Sequence, residues 1–427
     1  AKTGAILAMA GDNYFDLNDP MEAPYNVDPK SWDPSKKKEQ LDYLTGTYWY
    51  GKSASQPYEV GSTFKPFVLG MALDEGTITP ESIVSDEFVY IEGWPEAISS
   101  YDDMSKGDIS ISYAIWDSRN PPFVRIAQGL GLDTFYKYIS RLGLREKTGL
   151  DVAGENVGLV HQEPQEIDMA VTAFGEQITM TGLRLATDYV MLANNGAMLR
   201  PYLVQRVVDA DGEIKEEHQP EVIRNVYSVD TAEKVRQIMV GVGRYGTGQK
   251  LYVTGVESAY KTGTSTRNLH GGHSDDTETR NYVTLMPADN PRYVIYSATH
   301  DIKRQNGWPL EAIHRQMEEY IAYRDDMPFT YKAYDLNKIF SVRYTAAAVG
   351  QDFTEGQKAL MWQGIYPVLD SGLKPGKTIQ SQYPPAGGYC AYDTRVWVSD
   401  KANALPDEWT TMEDFTGLTL ENAKKQA

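Results

Sequence analysis

The residues most able to do chemistry fall in three short strings. The first is Gly61-Ser62-Thr63-Phe64-Lys65-Pro66, in which Lys65 follows Ser62 by one helical turn and so lies on the same side of it. A serine hydroxyl is a weak nucleophile near neutral pH unless a base takes its proton. A lysine that is desolvated or flanked by cations can be neutral enough to serve. Apolar Phe64, Phe67, Val68 and Met71 recur at the spacing of one helix face, and the pattern stops near Gly76, so a helix is expected to begin at this string. Pro66 agrees with a first turn, where amides lack intrahelical partners. Unpaired amides and the positive dipole end there suit a developing oxyanion. Taken alone, Ser-x-x-Lys reads more readily as a helix cap followed by a surface lysine.

The second string is Ser118-Arg119-Asn120, ahead of Pro121-Pro122, and by itself it is a helix-ending turn in which two short polar side chains flank an outward arginine. The third, Lys261-Thr262-Gly263-Thr264-Ser265, sits in a strand-like context. Alternation sends Lys261 and Gly263 to one face and Thr262 and Thr264 to the other; the lysine would bring positive charge and the glycine would let a substrate backbone approach. A second Lys147-Thr148-Gly149 reads as a turn. The strings lie 118 − 62 = 56 and 261 − 118 = 143 residues apart.

Elements able to position these strings run through residues 1 to about 320. Strand-like Tyr282–Leu285 and Tyr293–Ala298 mix with amphipathic helical stretches, which reads as α/β or α+β. Tyr14 to Tyr43, with its prolines and a Lys36-Lys37-Lys38 run, reads as a long surface loop. After Arg324 the texture changes. Residues 326–339 read as a linker and 340–400 as a smaller unit, with a helix over Thr354–Gln363, a strand over Gly364–Val368 and a turn at Pro384–Gly388. Asp414–Ala423 looks like the start of another copy, so 401–427 is taken as a truncated second unit.

The composition narrows the partners. With 427 residues, 41% hydrophobic and 23% charged, the chain should fold as a large domain plus something smaller. A formal net charge of −18 argues against nucleic acid, whose binding needs clustered Lys and Arg. The single Cys390 excludes an internal disulfide and a Cys-cluster metal site. No apolar run is long enough to span a bilayer, and the start at Ala1-Lys2-Thr3-Gly4-Ala5-Ile6-Leu7-Ala8-Met9, already strand-like, looks cut from a longer chain. Gly241-Val242-Gly243-Arg244-Tyr245-Gly246 fits G-x-G-x-x-G but follows a helical stretch, not a strand. His270-Gly271-Gly272-His273 lacks a third metal ligand. Asp102-Asp103 and Asp275-Asp276 read as solvated turns.

Together, in this order and spacing, the three strings resemble the penicillin-binding transpeptidase family. So do Thr3–Met9, Tyr58-Glu59-Val60 ahead of Gly61, Gly149-Leu150-Asp151, Leu185-Ala186-Thr187 through Asn195-Gly196, and Gly246-Thr247-Gly248. The likeness spans about residues 1 to 300 and is nearest the class B, monofunctional type. The unit at 340–400 resembles a PASTA domain, with Trp362 and Tyr366 as unusual residues within it.

The resemblance implies a transpeptidase domain over 1–325 with a central antiparallel sheet flanked by helices, plus a small α+β PASTA-like module. It implies that Ser62 is acylated, with Lys65 as general base, and that Ser118 and Asn120 serve proton relay and substrate anchoring. Lys261, Thr262 and Thr264 would hold a substrate carboxylate, Gly263 and Ser265 would line the same strand, and the amides of Ser62 and Thr264 would form an oxyanion hole. Arg119, and the order Glu176-Gln177 after Phe174-Gly175, depart from the family pattern; the first would alter one edge of the cleft and the second a local helix start. No cofactor is needed. The implied partners are peptidoglycan stem peptides, β-lactams and proteins of cell division and wall synthesis, at the outer face of the cytoplasmic membrane of a Gram-positive cell, with membrane contact only through an anchor outside this sequence. Competing readings are a serine β-lactamase, disfavoured by length and by the lack of a Glu-x-x-Asn deacylation segment, a β-lactam sensor, and a wall-binding scaffold with a vestigial cleft.

Overall fold

Helix α1 (Lys65–Asp74) has every residue from Lys65 to Ala72 buried. The one-face periodicity of Phe64, Phe67, Val68 and Met71 therefore understates it. Leu69, Gly70 and Ala72 close the remaining sides, and a helix apolar all round belongs inside a domain. The computed structural model describes residues 1–11, 15–24, 27–92, 96–253, 256–265, 277–303, 309–325, 327, 341–343, 348–362, 366–369, 373–383, 389–391 and 395–402. Two compact units divide between Ala333 and Tyr334.

In the first unit, α2 (Ile111–Trp116) is capped by the Ser110 hydroxyl, which accepts from the Tyr113 amide at 3.1 Å. A turn at Asp117–Asn120 leads into α3 (Pro121–Leu130). Helices α4 (Glu166–Thr172), α5 (Gly182–Ala193) and α6 (Val229–Tyr245) follow. The G-x-G-x-x-G string starts inside α6. Added side chains at Gly241 and Gly243 would collide with Trp116 and Tyr260, so these glycines permit close packing and form no phosphate loop.

Strands β1 (Ala259–Ser265), β2 (Thr277–Met286) and β3 (Tyr293–Lys303) make an antiparallel sheet in the order β3-β2-β1. Register pairs Lys261 with Val283 and Val283 with Tyr296, which puts all three on one face, while Thr262, Tyr282 and Ser297 share the other. The first face meets the turn before α1: Asn281 Nδ2 donates to the Val60 carbonyl at 3.1 Å, and Tyr296 OH to Tyr58 OH at 2.9 Å. The second is covered by α7 (Pro309–Arg324) through a polar network. Ser297 Oγ and Thr284 Oγ1 contact the two ring nitrogens of His314 at 2.7 and 2.9 Å, while Thr284 Oγ1 and Tyr260 OH donate to the Glu318 carboxyl at 2.9 and 3.0 Å.

Glu318 and His314 are fully buried. Burial pushes the Glu318 carboxyl up to about 8, against the opposing hydrogen bonds from Thr284 and Tyr260, and pushes His314 down to about 3. Between the ordinary carboxyl range and pH 8 the unfolded chain ionises Glu318 while the folded chain keeps its proton, so this group's stabilising contribution is full at low pH and lost as pH rises. Glu318→Gln is expected to raise the melting temperature by about 3 °C at pH 8 and to leave it unchanged near pH 5, as calorimetry at the two pH values would show.

Several expectations change. Among the described residues, Thr3–Met9 forms a single bridge, Ala5 to Tyr202, and Leu7 and Met9 are exposed. The stretch read as one loop to Tyr43 contains a 3-10 turn at Pro29–Ser31, capped by Asp28, and a short helix at Lys38–Tyr43. The Phe174–Thr179 stretch is no helix start: Gly175 and Gln177 have positive φ, and the Gln177 amide donates to Glu59.

In the second unit, α8 (Phe353–Trp362) and a sheet of β4 (Tyr366–Leu369), β5 (Ser381–Tyr383) and β6 (Arg395–Ser399) are present, with β4 parallel and β5 antiparallel to the central β6. Ala348, Phe353, Leu360, Leu373, Ile379, Val396 and Val398 form its core. The linker apart from Met327, the Pro384–Gly388 turn, residues 403–427, the side chains of Trp362 and Tyr366, and the His270–His273 and Asp275–Asp276 strings lie outside the described residues.

Candidate active site

The turn that carries Ser62 is a 3-10 segment, Gly61–Phe64. Gly61 has φ +58, and a Cβ there would strike the Thr264 carbonyl, so the turn packs directly on β1. From behind, the Gly61 amide donates to the Gly175 carbonyl at 3.1 Å. Thr63 Oγ1 donates to the Val60 carbonyl at 2.8 Å and Tyr189 OH, from α5, to the Thr63 carbonyl at 2.7 Å. Ser62 is left half-buried, and its hydroxyl has no hydrogen-bond partner among the described residues.

Lys65 is fully buried one turn on. Its Nζ donates to the Ser118 carbonyl at 2.5 Å, Asn120 Oδ1 at 2.7 Å and Ser118 Oγ at 3.3 Å, and stands 5.6 Å from the centre of the Phe123 ring. Lys261, also fully buried, donates from Nζ to Ser118 Oγ at 2.9 Å and to the Thr262 carbonyl at 2.8 Å. Ser118 Oγ thus bridges two lysine nitrogens. Burial holds Lys65 well below the usual lysine range, helped by the positive charges of Lys261 and Arg119 and opposed by Asp117 and Asp86. Burial pushes Lys261 down to about 7, with Asp117 opposing. Two amines whose charged forms burial disfavours, placed around one hydroxyl, can take, pass and return a proton.

Five predicted residues, Lys65, Ser118, Asn120, Lys261 and Thr262, therefore form one connected constellation, and Thr264 packs against Gly61, the residue before Ser62. Thr262 Oγ1 bonds Thr247 Oγ1 at 2.6 Å, and Thr264 is exposed. Gly263 and Ser265 face inward instead of toward a ligand. A Cβ on Gly263 would lie 2.7 Å from both the Val60 carbonyl and Asn281 Oδ1, so the missing side chain makes room for this protein's own turn. Ser265 is buried with its hydroxyl 3.2 Å from Glu59. Asn120 is engaged at both ends, since its Nδ2 also donates to the Ser99 carbonyl at 2.9 Å.

Arg119 is not outward. It is fully buried and ion-paired with Asp86, Asp102 and Asp117, which also removes Asp102 from the solvated turns. The second Lys-Thr-Gly is a loop whose Thr148 and Gly149 amides bond the Glu155 carboxylate. Thr247, Asn281 and Glu59 support the site from outside the three strings. Asn281 had a signal, as a polar residue in the otherwise apolar run of β2. Among the described residues no group of His, Cys, Asp or Glu could hold a metal ion.

The family model of the penicillin binding protein transpeptidase domain matches residues 1–317. The chain is 27% identical over 309 residues to Stage V sporulation protein D of Bacillus subtilis, a match covering 71% of this chain and 44% of that protein. It is 28% identical over 270 residues to a peptidoglycan D,D-transpeptidase FtsI homolog of Mesostigma viride, covering 56% and 44% respectively. The chain thus spans less than half the length of these curated relatives. In fold it is similar to penicillin binding protein 3 of Mycobacterium tuberculosis, solved in complex with aztreonam, with a TM-score of 0.61 at 24% identity, covering 70% of this chain and 68% of that one.

Proposed function

Because the chain belongs to the penicillin-binding protein transpeptidase family, we propose that it is a class B-type serine D,D-transpeptidase that cross-links peptidoglycan stem peptides in division-related wall synthesis and is acylated by β-lactams. The observation that carries this reading is the bridge Lys65–Ser118–Lys261, buried beside a half-exposed Ser62 whose hydroxyl is unengaged among the described residues.

In this reading Ser62 Oγ attacks the carbonyl carbon while its proton passes to neutral Lys65. The C–N bond breaks, and the leaving amine takes a proton through Ser118 from the lysine pair. An acceptor amine then attacks the acyl-serine, gives up its proton by the same route and regenerates the Ser62 hydroxyl. The amides of Ser62 and Thr264 hold the oxyanion. Charged Lys261, with Thr262 and Thr264, holds the substrate carboxylate. Asn120 keeps Lys65 in place, and its second amide hydrogen remains for the substrate. Gly263 and Ser265 act by fixing β1.

Residues 1–325 constitute the catalytic domain in this proposal, 326–339 a linker, 340–400 a PASTA-like module and 401–427 the start of another. The packing of α8 against a small mixed sheet supports the module. The enzyme would work at the outer face of the cytoplasmic membrane with division proteins as partners; no helix among the described residues is long and apolar enough to cross a membrane.

The test is the intact mass of the protein after incubation with benzylpenicillin, with peptide mapping of any adduct. Ring opening loses no atoms, so the expected gain is one whole penicillin, on the peptide containing Ser62, persisting for hours. Rapid loss of the adduct would point to hydrolysis and a β-lactamase. No adduct would overturn the acyl-serine reading.

A further inference from the structure

Arg119 lies between the two residues that touch Lys65 and points away from them. Its guanidinium donates to Asp86 at 2.9 Å, Asp102 at 2.8 Å and Asp117 at 3.3 Å, and to the Met104 carbonyl. Asp102 also pairs with Lys106 at 2.9 Å, and the Asp117 carboxylate accepts from Tyr101 OH at 3.0 Å and Tyr113 OH at 3.4 Å. Three carboxylates thus bond two cations, and burial raises the Asp86 and Asp117 carboxyls against the bonds they accept.

The cluster is tied to the geometry of the site. Ser118 has φ +56, a conformation that costs a non-glycine residue about 1 kcal/mol and persists only where the surroundings impose it. On one side the Arg119 amide donates to the Ala114 carbonyl at 2.9 Å while its side chain is locked by the three carboxylates. On the other, the Asn120 amide and Nδ2 hold Ser100 Oγ and the Ser99 carbonyl at 3.0 and 2.9 Å. The segment from Ser99 to Met104 is gripped by both residues, and the carbonyl of Ser118 is thereby turned onto Lys65.

The charge of the cluster reaches the lysines. Asp117 immediately precedes Ser118, whose carbonyl and hydroxyl hold Lys65 and whose hydroxyl also holds Lys261, so its charge acts on both amines, as those of Arg119 and Asp86 act on Lys65. Asp117 itself faces Tyr101, Tyr113, Arg119 and Asp102. We infer that the Arg119 ion cluster positions the Ser118–Asn120 element and that Asp117, which touches no reacting atom, is the counter-charge setting how much of the lysine pair carries a proton. The inference rests on the acyl-serine reading above, with Lys65 as the base.

The sign follows from electrostatics: an anion favours the protonated amine, so removing it lets Lys65 lose its proton at lower pH. The experiment measures the acylation rate constant with benzylpenicillin from about pH 5 to about pH 9 for the parent, Asp117→Asn and Asp117→Glu. In Asp117→Asn the rising limb should move down by about half a pH unit or more, and Asp117→Glu, which keeps the charge, should restore it toward the parent. Where Asp117→Asn does not fold, Asp86→Asn removes the other carboxylate facing Lys65 and should move the limb in the same direction. A limb that stays in place while the rate falls at every pH overturns the inference and leaves Asp117 a structural residue. A parent that forms no adduct overturns the acyl-serine reading, and this inference with it.

Discussion

Ser62→Ala is expected to give a protein with the parent's melting temperature and no penicillin adduct, a loss of at least ~10³-fold in acylation. The two halves of this result have separate causes. The turn is held by contacts that do not involve the Ser62 hydroxyl: Gly61 against Thr264 and Gly175, Thr63 Oγ1 on Val60, and Tyr189 on the Thr63 carbonyl. Deleting a half-exposed hydroxyl that bonds none of the described residues therefore changes stability by about 0.5 kcal/mol or less. Acylation, by contrast, needs an oxygen at that position, and the lysine pair cannot supply one. Intact mass spectrometry beside a thermal melt reads both. An adduct that survives the substitution would place the nucleophile elsewhere.

The constellation was legible because its three strings keep their order and because short-range rules place each one. Proline early in a helix located the turn before α1, and strand alternation put Lys261 and Gly263 on one face and Thr262 and Thr264 on the other. That Lys65 meets Ser118 and Asn120, 53 and 55 residues on, followed from the family likeness and not from any local rule. What escaped has one physical cause: packing against partners far away in the sequence. Arg119 reads as an outward turn residue until Asp86, Asp102 and Asp117 are brought round it, and nothing in a stretch of three residues announces them. Glu318 and His314 look like the solvated side of an amphipathic helix, yet that side covers the second face of the sheet. Gly61 and Gly175 are ordinary turn glycines in sequence; only the fold sets them back to back.

The same burial that hid these residues makes the chemistry of Lys65 testable by charge. Lys65→Gln should slow acylation by about 10³- to 10⁴-fold, the upper part of the range for a positioned general base. The parent should show a bell-shaped rate profile. The rising limb comes from the lysine pair giving up its first proton, which burial and the Lys261 charge bring far below the ordinary lysine range. The falling limb, around pH 7, comes from loss of the remaining positive charge, assigned to Lys261, which burial pushes down to about 7. The two limbs belong to the pair, since both amines share Ser118 Oγ. Lys65→Arg separates proton transfer from charge. Arginine offers the same sign of charge and more donors to the Ser118 carbonyl and Asn120, but it does not deprotonate in a protein. If Lys65 is the base, Lys65→Arg fails as badly as Lys65→Gln and neither has a rising limb. If Lys65→Arg keeps the parent rate within about tenfold, roughly 1.4 kcal/mol, then Lys65 serves as a fixed charge, and Lys261, through Ser118, becomes the group that takes the Ser62 proton.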